Sequence, residues 1–269
     1  MKLNVNWKSV GKVSLYILVG VAFIVSLGFA AYKQDVMPCT KLNVVIKDTL
    51  GHNFVDIQDV RTMVENKVGP VEGKPISSIN ISMLEKIINT NPFISDAEVF
   101  STIDGSINIE VKQRVPVLRV MNMRDESFYI DDQGVFMPLS DKYAARVPVA
   151  SGFIFDTESE RKVTLYDGDN RDTSLKITRI DEVFHVADYI SHDEFWSAQI
   201  EQIYVNEKSE IELIPRVGNQ NIILGNADQL DRKFKKLFLF YKEGLNKTGW
   251  NKYSTINLKY ENQVVCTKR

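Results

Sequence analysis

The chain shows three kinds of hydrophobic pattern: one long uninterrupted run, stretches with helical spacing, and many short runs rich in β-branched residues. The long run, residues 13–32, reads VSLYILVGVAFIVSLGFAAY and carries no charge over 20 consecutive residues. A helix needs roughly 20 apolar residues to cross the apolar core of a bilayer, which is about 30 Å thick. The pattern therefore predicts one transmembrane helix at 13–32.

The charges that flank this run predict its orientation. Lys2, Lys8 and Lys12 precede it. Because positive charges favour the cytoplasmic side, we expect residues 1–12 to be a short cytoplasmic tail and the bulk of the chain to lie outside. A cleaved signal peptide is the alternative, with Gly28-Phe29-Ala30 as its cleavage site. The apolar core of a signal peptide is usually only about 7–15 residues long, so we favour a retained span.

Beyond a polar tether at 33–41, the pattern predicts a β-α-α-β-β domain at 42–114. Its elements are a strand at 42–48, helices at 56–68 and 81–91, and a strand hairpin at 94–103 and 106–114. The two helices are indicated by apolar residues three and four positions apart, and Asp56 is a suitable N-cap for the first. Asp104-Gly105 is a strong signal for the hairpin turn.

After this domain the pattern changes to short strands separated by turns, which predicts a second domain at 115–269. Helical spacing recurs at 174–190 and 228–245, and residues 156–172 are polar and predict a mobile loop. The predicted strands include 200–206, 210–216, 221–225 and a final pair at 254–260 and 263–267. The predicted fold class is α+β: a transmembrane helix, the small β-α-α-β-β domain, and a mainly antiparallel β domain with two helices.

The final strand pair raises the question of what covers its edge. Ile256, Leu258 and Tyr260 alternate along 254–260, so one face of this strand is predicted to point into a core. An unpaired strand edge invites pairing with another chain. We therefore expect the end of the chain to be a site for a strand from a partner.

Composition and charge exclude a nucleic-acid-binding role. The formal net charge of the 269 residues is -2, which provides no basic field. A basic cluster on the 228–245 helix is interpreted as an exposed amphipathic face; it comprises Arg232, Lys233, Lys235 and Lys236. Cys39 and Cys266 are too few for a disulfide framework, and we interpret them as isolated thiols while a single bridge remains possible.

The sequence shows no catalytic motif: neither GxSxG, a Walker loop, HExxH nor Cys-His metal spacing is present. Asp181, His185, Asp188 and His192 share one face of the 174–190 helix and its end, a spacing that could hold a metal. A solvated helix face explains them more simply. We therefore predict no catalytic residue, cofactor, metal or small-molecule substrate, with a membrane-anchored metal-dependent enzyme as an alternative.

Five stretches, in their order, resemble the FtsQ/DivIB family of bacterial cell-division proteins, and the first domain is similar to a POTRA module. The likeness covers nearly all of the chain from Val13 onward. The stretches are NPFISDAEVFS (91–101), VKQRVPVLRV (111–120), FYIDDQGVFMPL (128–139), and IELIPRVGNQNIILG (211–225) followed by a helix and INLKYENQVV (256–265).

The resemblance implies a non-enzymatic scaffold of the divisome in the cytoplasmic (inner) membrane at the division septum. It implies that the β domain receives a strand from a small bitopic coiled-coil partner of the FtsB/DivIC type, which itself pairs with an FtsL-type protein. The resemblance further implies that this complex regulates septal peptidoglycan synthesis. The partner-binding residues are then Lys259, Tyr260, Asn262, Gln263, Val264 and Val265.

Two alternatives accompany this hypothesis. A POTRA-bearing envelope assembly or secretion component usually has several such modules or a membrane barrel, and the sequence shows neither pattern. At the strand itself, Tyr260 could be a core residue and the edge could be capped by Lys268 and Arg269, since lysines often blunt strand edges.

Overall fold

The computed structural model describes residues 16–26, 37–47, 51–157 and 178–269. Residues 16–26 are helical. Within the described ranges, no helix is both long and apolar enough to cross a membrane. The predicted span at 13–32 extends past residues 16–26 at both ends, onto residues outside the described part, so it stays a prediction. The predicted tail at 1–12 also lies outside.

The chain divides into two compact units, and each is considered by itself. The first comprises residues 1–50 and 55–113, and the second comprises residues 51–54 and 114–269. Among its described residues, the first unit holds the helical residues 16–26, a three-stranded sheet and two further α-helices. Its elements are β1 (Lys41–Lys47), α1 (Ile57–Val68), a short 3-10 helix (Ile76–Ser78), α2 (Ile81–Ile88), β2 (Ile94–Ser101) and β3 (Ser106–Gln113).

The sheet of the first unit has the order β1-β3-β2. Strand β1 runs parallel to β3, whereas β2 is antiparallel to it across the turn at Asp104-Gly105. A parallel pair such as β1 and β3 needs a long connection, and here the chain between the two strands contains both helices and β2. The predicted β-α-α-β-β order is therefore confirmed.

Local side-chain bonds explain where the two helices begin and end. Asp56 caps α1: its carboxylate accepts the Asp59 N–H at 2.8 Å, and the Asp59 carboxylate accepts the Asp56 N–H at 2.9 Å. Helix α2 ends at Ile88, three residues before the predicted end. The reason is a turn in which Asn91 Oδ1 accepts the Phe93 N–H at 2.9 Å and leads the chain into β2.

Side chains occupy backbone groups on both outer strands of this sheet. On β1, the Leu42 N–H donates to Glu72 Oε1 at 3.2 Å, and the Leu42 carbonyl accepts a bond from Arg61. On β2, the Val99 N–H donates to Glu85 Oε1 at 3.1 Å. Both edges are therefore partly blocked against pairing with another strand.

The second unit contains, in its described residues, a nine-stranded sheet of order β12-β11-β10-β9-β8-β7-β4-β5-β6. Pairs β4–β7, β7–β8 and β10–β11 are parallel, and the other neighbours are antiparallel. The mixed α+β class with a large, mainly antiparallel sheet is confirmed. The strands are β4 (Pro116–Met121), β5 (Ser127–Asp131), β6 (Phe136–Met137), β7 (Val149–Gly152), β8 (Ile200–Val205), β9 (Ile211–Pro215), β10 (Asn221–Gly225), β11 (Tyr253–Asn257) and β12 (Val265–Lys268).

The helices in the described part of this unit are α3 (Arg179–Ser191), α4 (Glu194–Gln199) and α5 (Leu230–Leu239). Helix α5 continues as a π-helix (Phe240–Leu245) and a last α-helical turn (Asn246–Thr248). Their buried residues pack with those of the strands into one core. Helix α3 begins at Arg179, whereas the prediction started it at 174; residues 174–177 lie outside the described part of the chain. Thr178 caps the helix by donating from its N–H (2.7 Å) and its hydroxyl (2.9 Å) to the Asp181 carboxylate. The predicted loop at 156–172 lies almost entirely outside the described residues.

The buried carboxylate of Asp131 holds the β5–β6 hairpin together. Asp131 is fully buried; its Oδ2 pairs with Arg114 at 2.7 Å, and its Oδ1 accepts the N–H groups of Gln133 and Val135. Gly134 has a φ of 73°, which favours glycine. Two of the stretches that carry the family resemblance therefore meet in one hydrogen-bond network: Arg-Val-Pro at 114–116 and Ile-Asp-Asp-Gln-Gly at 130–134.

Candidate partner-binding edge

The predicted open edge of the strand at 254–260 is occupied by the chain itself. Strand β11 pairs with β10 on one side, with Ile256 opposite Ile222, and with β12 on the other, with Ile256 opposite Cys266. The expectation that a partner strand adds directly to β11 was therefore wrong. Among the described residues, the outer strands of this sheet are β12 at one end and β6, only two residues long, at the other.

Strand β11 ends at Asn257, three residues before the predicted end. Asn257 Oδ1 accepts the Lys259 N–H at 3.0 Å, a local bond that turns the chain out of the ladder. Leu258 still donates to the Ile223 carbonyl of β10 at 2.9 Å. Residues 258–264 thus form a connection between β11 and β12, which we name the β11–β12 turn.

The structure places the six predicted partner-binding residues together but not in one strand. Val265 belongs to β12. The others lie in the β11–β12 turn; they are Lys259, Tyr260, Asn262, Gln263 and Val264. The predicted site is therefore one short turn and the first residue of the outer strand, rather than a continuous strand edge.

Tyr260 is more exposed than Ile256 and Leu258, although all three were predicted to lie on the core-facing side of one strand. Ile256 and Leu258 are fully buried, whereas 48% of Tyr260 is exposed. The alternative in which Tyr260 is a core residue is therefore wrong. Val265 is 41% exposed, and Val264 packs against the core at the side of the sheet.

The end of the chain is fastened to the sheet. Arg269 donates from its N–H to the Lys252 carbonyl at 3.2 Å and from its guanidinium to the Asn219 carbonyl at 2.6 Å. Cys266 is half-buried on β12, where burial raises the pKa of its thiol. Both Cys266 and Cys39 are free thiols. These contacts hold β12 in place as the outer strand.

Lys259 is paired within the chain. Its Nζ donates to Glu210 Oε1 at 2.7 Å, and this hydrogen bond raises the pKa of Lys259 and lowers the pKa of Glu210. The Lys259 side chain crosses Gly225 to reach Glu210. A Cβ at Gly225, which has a φ of 85°, would lie 2.9 Å from Lys259 Cγ, so this position requires glycine.

Helix α5 supplies two residues that sequence reasoning did not assign to this site. Lys236 Nζ donates to the carbonyls of Leu258 (2.9 Å) and Tyr260 (2.5 Å). Arg232 donates to Asn262 Oδ1 at 2.8 Å and lies 3.6 Å from the Glu261 carboxylate. Arg232 and Lys236 are one helical turn apart in the sequence. This spacing could have indicated that both side chains contact the same segment.

The basic cluster on α5 is not one exposed face. Lys233 is only 8% exposed, because its Nζ donates to Asn226 Oδ1 at 2.7 Å and to the Asn226 carbonyl at 2.9 Å. Burial lowers the pKa of Lys233. The interpretation of the cluster as a solvated face was therefore wrong for Lys233, and it holds for Lys235.

A polar cleft of about 490 Å³ opens beside the β11–β12 turn. Lys259 and Glu261 contribute to one wall, and Arg179 and Glu182, paired at 2.6 Å, contribute to another. Because Lys259 is paired with Glu210, much of the charge in the cleft is compensated within the chain. The cleft therefore presents mixed charge rather than a field of one sign.

The residues considered for a metal site have separate roles. Asp181 is buried and engaged with Thr178 at the start of α3. His192 lies at the helix end, where its Nδ1 is 2.8 Å from the Asp188 carbonyl. Across the ranges that the structure describes, no three His, Cys, Asp or Glu side chains converge on a metal position.

Comparisons with known proteins agree with this architecture. Residues 115–267 match the family model described as FtsQ/DivIB, C-terminal related, and residues 37–112 match a POTRA-like domain. A curated relative, the cell division protein FtsQ of Geotalea daltonii, is 22% identical over 275 residues, which cover 98% of this chain and 90% of that protein. The POTRA-like match ends at residue 112, within β3, and the FtsQ/DivIB match begins at residue 115, one residue before β4.

Proposed function

The chain belongs to the FtsQ/DivIB family of cell-division proteins, and from this membership we propose that it is a non-enzymatic scaffold of the bacterial divisome. In this proposal it links a partner complex of the FtsB/FtsL type to septal peptidoglycan synthesis. The partner is a small bitopic coiled-coil protein that contributes a β-strand. The relative in Geotalea daltonii supports a role in division through its name, cell division protein FtsQ.

The observation that carries this proposal is the outer edge of β12. Strand addition needs a row of backbone groups that no other strand has taken, and it gains specificity from side chains on either side. Strand β12 lies at the end of the sheet order and has four residues. The outer strands β1 and β2 have side chains bonded to their backbone, and β6 has only two residues. Among the outer strands in the described part of the chain, β12 is therefore the one best suited to receive a strand.

The β11–β12 turn lies at the start of this edge and supplies the side chains for recognition. Tyr260 is the proposed anchor, because aromatic side chains dominate binding hot spots and this residue is half exposed. Val265 offers an apolar contact on the outer strand. Polar groups for hydrogen bonds and orientation come from Lys259, Asn262 and Gln263, while Val264 fixes the turn to the core.

Membrane attachment would increase the effect of weak contacts. The proposed organisation is a cytoplasmic tail at 1–12, a span at 13–32, a tether at 33–41, a POTRA-like domain at 42–114 and a β domain at 115–269. Anchoring of both partners in the inner membrane at the septum raises their effective concentration, so a modest affinity suffices. The POTRA-like domain would provide a further docking surface.

Photo-crosslinking in living cells tests the proposal. The photoreactive residue p-benzoylphenylalanine is placed in the full chain at Val265, Lys259 or Gln263, and at Leu139 as the control. Leu139 is 42% exposed and Val265 is 41% exposed, so the two positions are matched in accessibility. We expect the first three to capture a small bitopic protein that Leu139 does not capture. Capture of no such protein at Val265 would contradict strand addition at β12.

A further inference from the structure

The β11–β12 turn is held mainly from outside its own strands. The β11–β12 ladder pairs Asn257 with Val265, so the seven residues between them lie outside it. A connection of this length does not by itself fix one conformation, since each free residue retains backbone entropy. Tyr260, the proposed anchor, lies in this segment and is half exposed. Neighbouring elements bond to this segment: β10 to Leu258, Glu210 to Lys259, and α5 to the residues around Tyr260.

Two residues of α5 bond to the part of the turn that surrounds Tyr260. Lys236 bonds with a single ammonium group to two carbonyls, at 2.9 Å to Leu258 and at 2.5 Å to Tyr260. An ammonium group has three donors and no acceptor, so it can hold two carbonyls at once. Burial, followed by the nearby charge of Arg232, lowers the pKa of Lys236, as expected for an ammonium partly removed from water.

Arg232 restrains the next part of the turn. Its guanidinium donates to Asn262 Oδ1 at 2.8 Å and lies 3.6 Å from Glu261 Oε1. It also donates to Oε1 of Gln229, the residue before α5, at 3.4 Å. Arg232 and Lys236 are four residues apart and therefore lie on the same face of α5. Together they bond to the turn on both sides of Tyr260.

We infer that Lys236 and Arg232 are positioning residues for partner binding, which hold the β11–β12 turn in its binding conformation before the partner arrives. This inference rests on the proposed function, since it assigns their role to the same site. A preformed turn lowers the ordering cost of association, which otherwise subtracts from affinity. Neither side chain needs to touch the partner for this effect.

The test compares three variants of the full chain. Lys236→Met keeps an apolar stem and removes all donors, and Lys236→Arg keeps donors at the same position. Lys235→Met is the matched control, because Lys235 is the exposed neighbour on α5 and loses the same charge. Two quantities are measured: hydrogen exchange of residues 258–263 in the purified chain, and the yield of the crosslink from p-benzoylphenylalanine at Val265 in cells.

We expect Lys236→Met to speed exchange in 258–263 and to lower the crosslink yield about tenfold, the size expected when ordering of one or two side chains is lost. Lys236→Arg should restore most of the yield, and Lys235→Met should change neither quantity. A normal yield in Lys236→Met, with a clear crosslink in the unmodified chain, would overturn this inference alone. No crosslink in the unmodified chain would overturn the proposed function, and this inference with it.

Discussion

The pair between Lys259 and Glu210 joins the β11–β12 turn to the β8–β9 hairpin. The pair lowers the pKa of Glu210. The stabilisation of the fold by the Glu210 carboxylate is therefore fully present above the pKa of an unfolded glutamate, about 4.3. It is lost as the pH falls through the lower, folded value. The raised pKa of Lys259 sets the opposite limit, since its contribution is lost only as the pH rises through the folded value.

We therefore expect Glu210→Gln to destabilise the protein by less than about 1 kcal/mol near neutral pH, as is usual for a partly exposed pair. The difference between the unfolding free energies of the unmodified chain and the variant should be constant from about pH 5 to 8 and shrink below about pH 4. Urea unfolding at each pH measures it. Glu207→Gln, on the same hairpin, serves as control. A difference that grows in acid would be evidence against the pair.

Single residues also show where sequence reasoning succeeds and fails. Alternation along 254–260 correctly predicted that Ile256 and Leu258 are buried. It failed at Tyr260, because a hydrophobic pattern does not register the bond from the Lys259 N–H to Asn257 that ends the strand. The roles of Lys236 and Arg232 depend on which turn lies beside α5, and that is a tertiary contact.

At the scale of elements, the β5–β6 hairpin depends on Asp131. This carboxylate is fully buried, pairs with Arg114 and accepts two loop N–H groups. Its removal leaves a largely buried guanidinium and the loop donors without their partner, and loss of one member of a buried pair typically costs about 3–5 kcal/mol. The hairpin is therefore predicted to be sensitive to this one side chain.

Asp131→Ala should lower the free energy of unfolding of the second unit by about 3 kcal/mol, whereas Gln133→Ala, which keeps the loop N–H and removes an exposed side chain, should change it by less than about 0.5 kcal/mol. Urea unfolding followed by tryptophan fluorescence measures both, since Trp196 and Trp250 lie in this unit. Equal effects of the two substitutions would show that the Asp131 network does not stabilise the hairpin.

Element boundaries follow the caps more closely than the hydrophobic spacing. The Asp56 cap was predicted from the sequence and is confirmed. The start of α3 was missed, although Thr178 and Asp181 have the spacing of a capping box, because apolar spacing continued upstream of Thr178. Local hydrogen-bonding groups should therefore take precedence over periodicity when the two disagree.

At the scale of the whole molecule, the two-part organisation and the order of elements were predictable, but the sheet order of the second unit was not. Pairing of β11 with β10 joins segments separated by α5, and the last strand then adds outside β11. Patterns of alternation assign residues to faces of a sheet and do not determine which strands become neighbours. For this reason the sequence predicted that β11 would receive the partner strand, whereas in the structure the outer strand is β12.

The most direct test of the account is backbone hydrogen exchange of residues 265–268 in the full chain, alone and in complex with the partner captured by crosslinking. If a strand adds to β12, its outward N–H groups become hydrogen-bonded, so exchange in 265–268 should slow at least about tenfold while that of β6 stays unchanged. Unchanged exchange in 265–268 within a stable complex would contradict strand addition at β12.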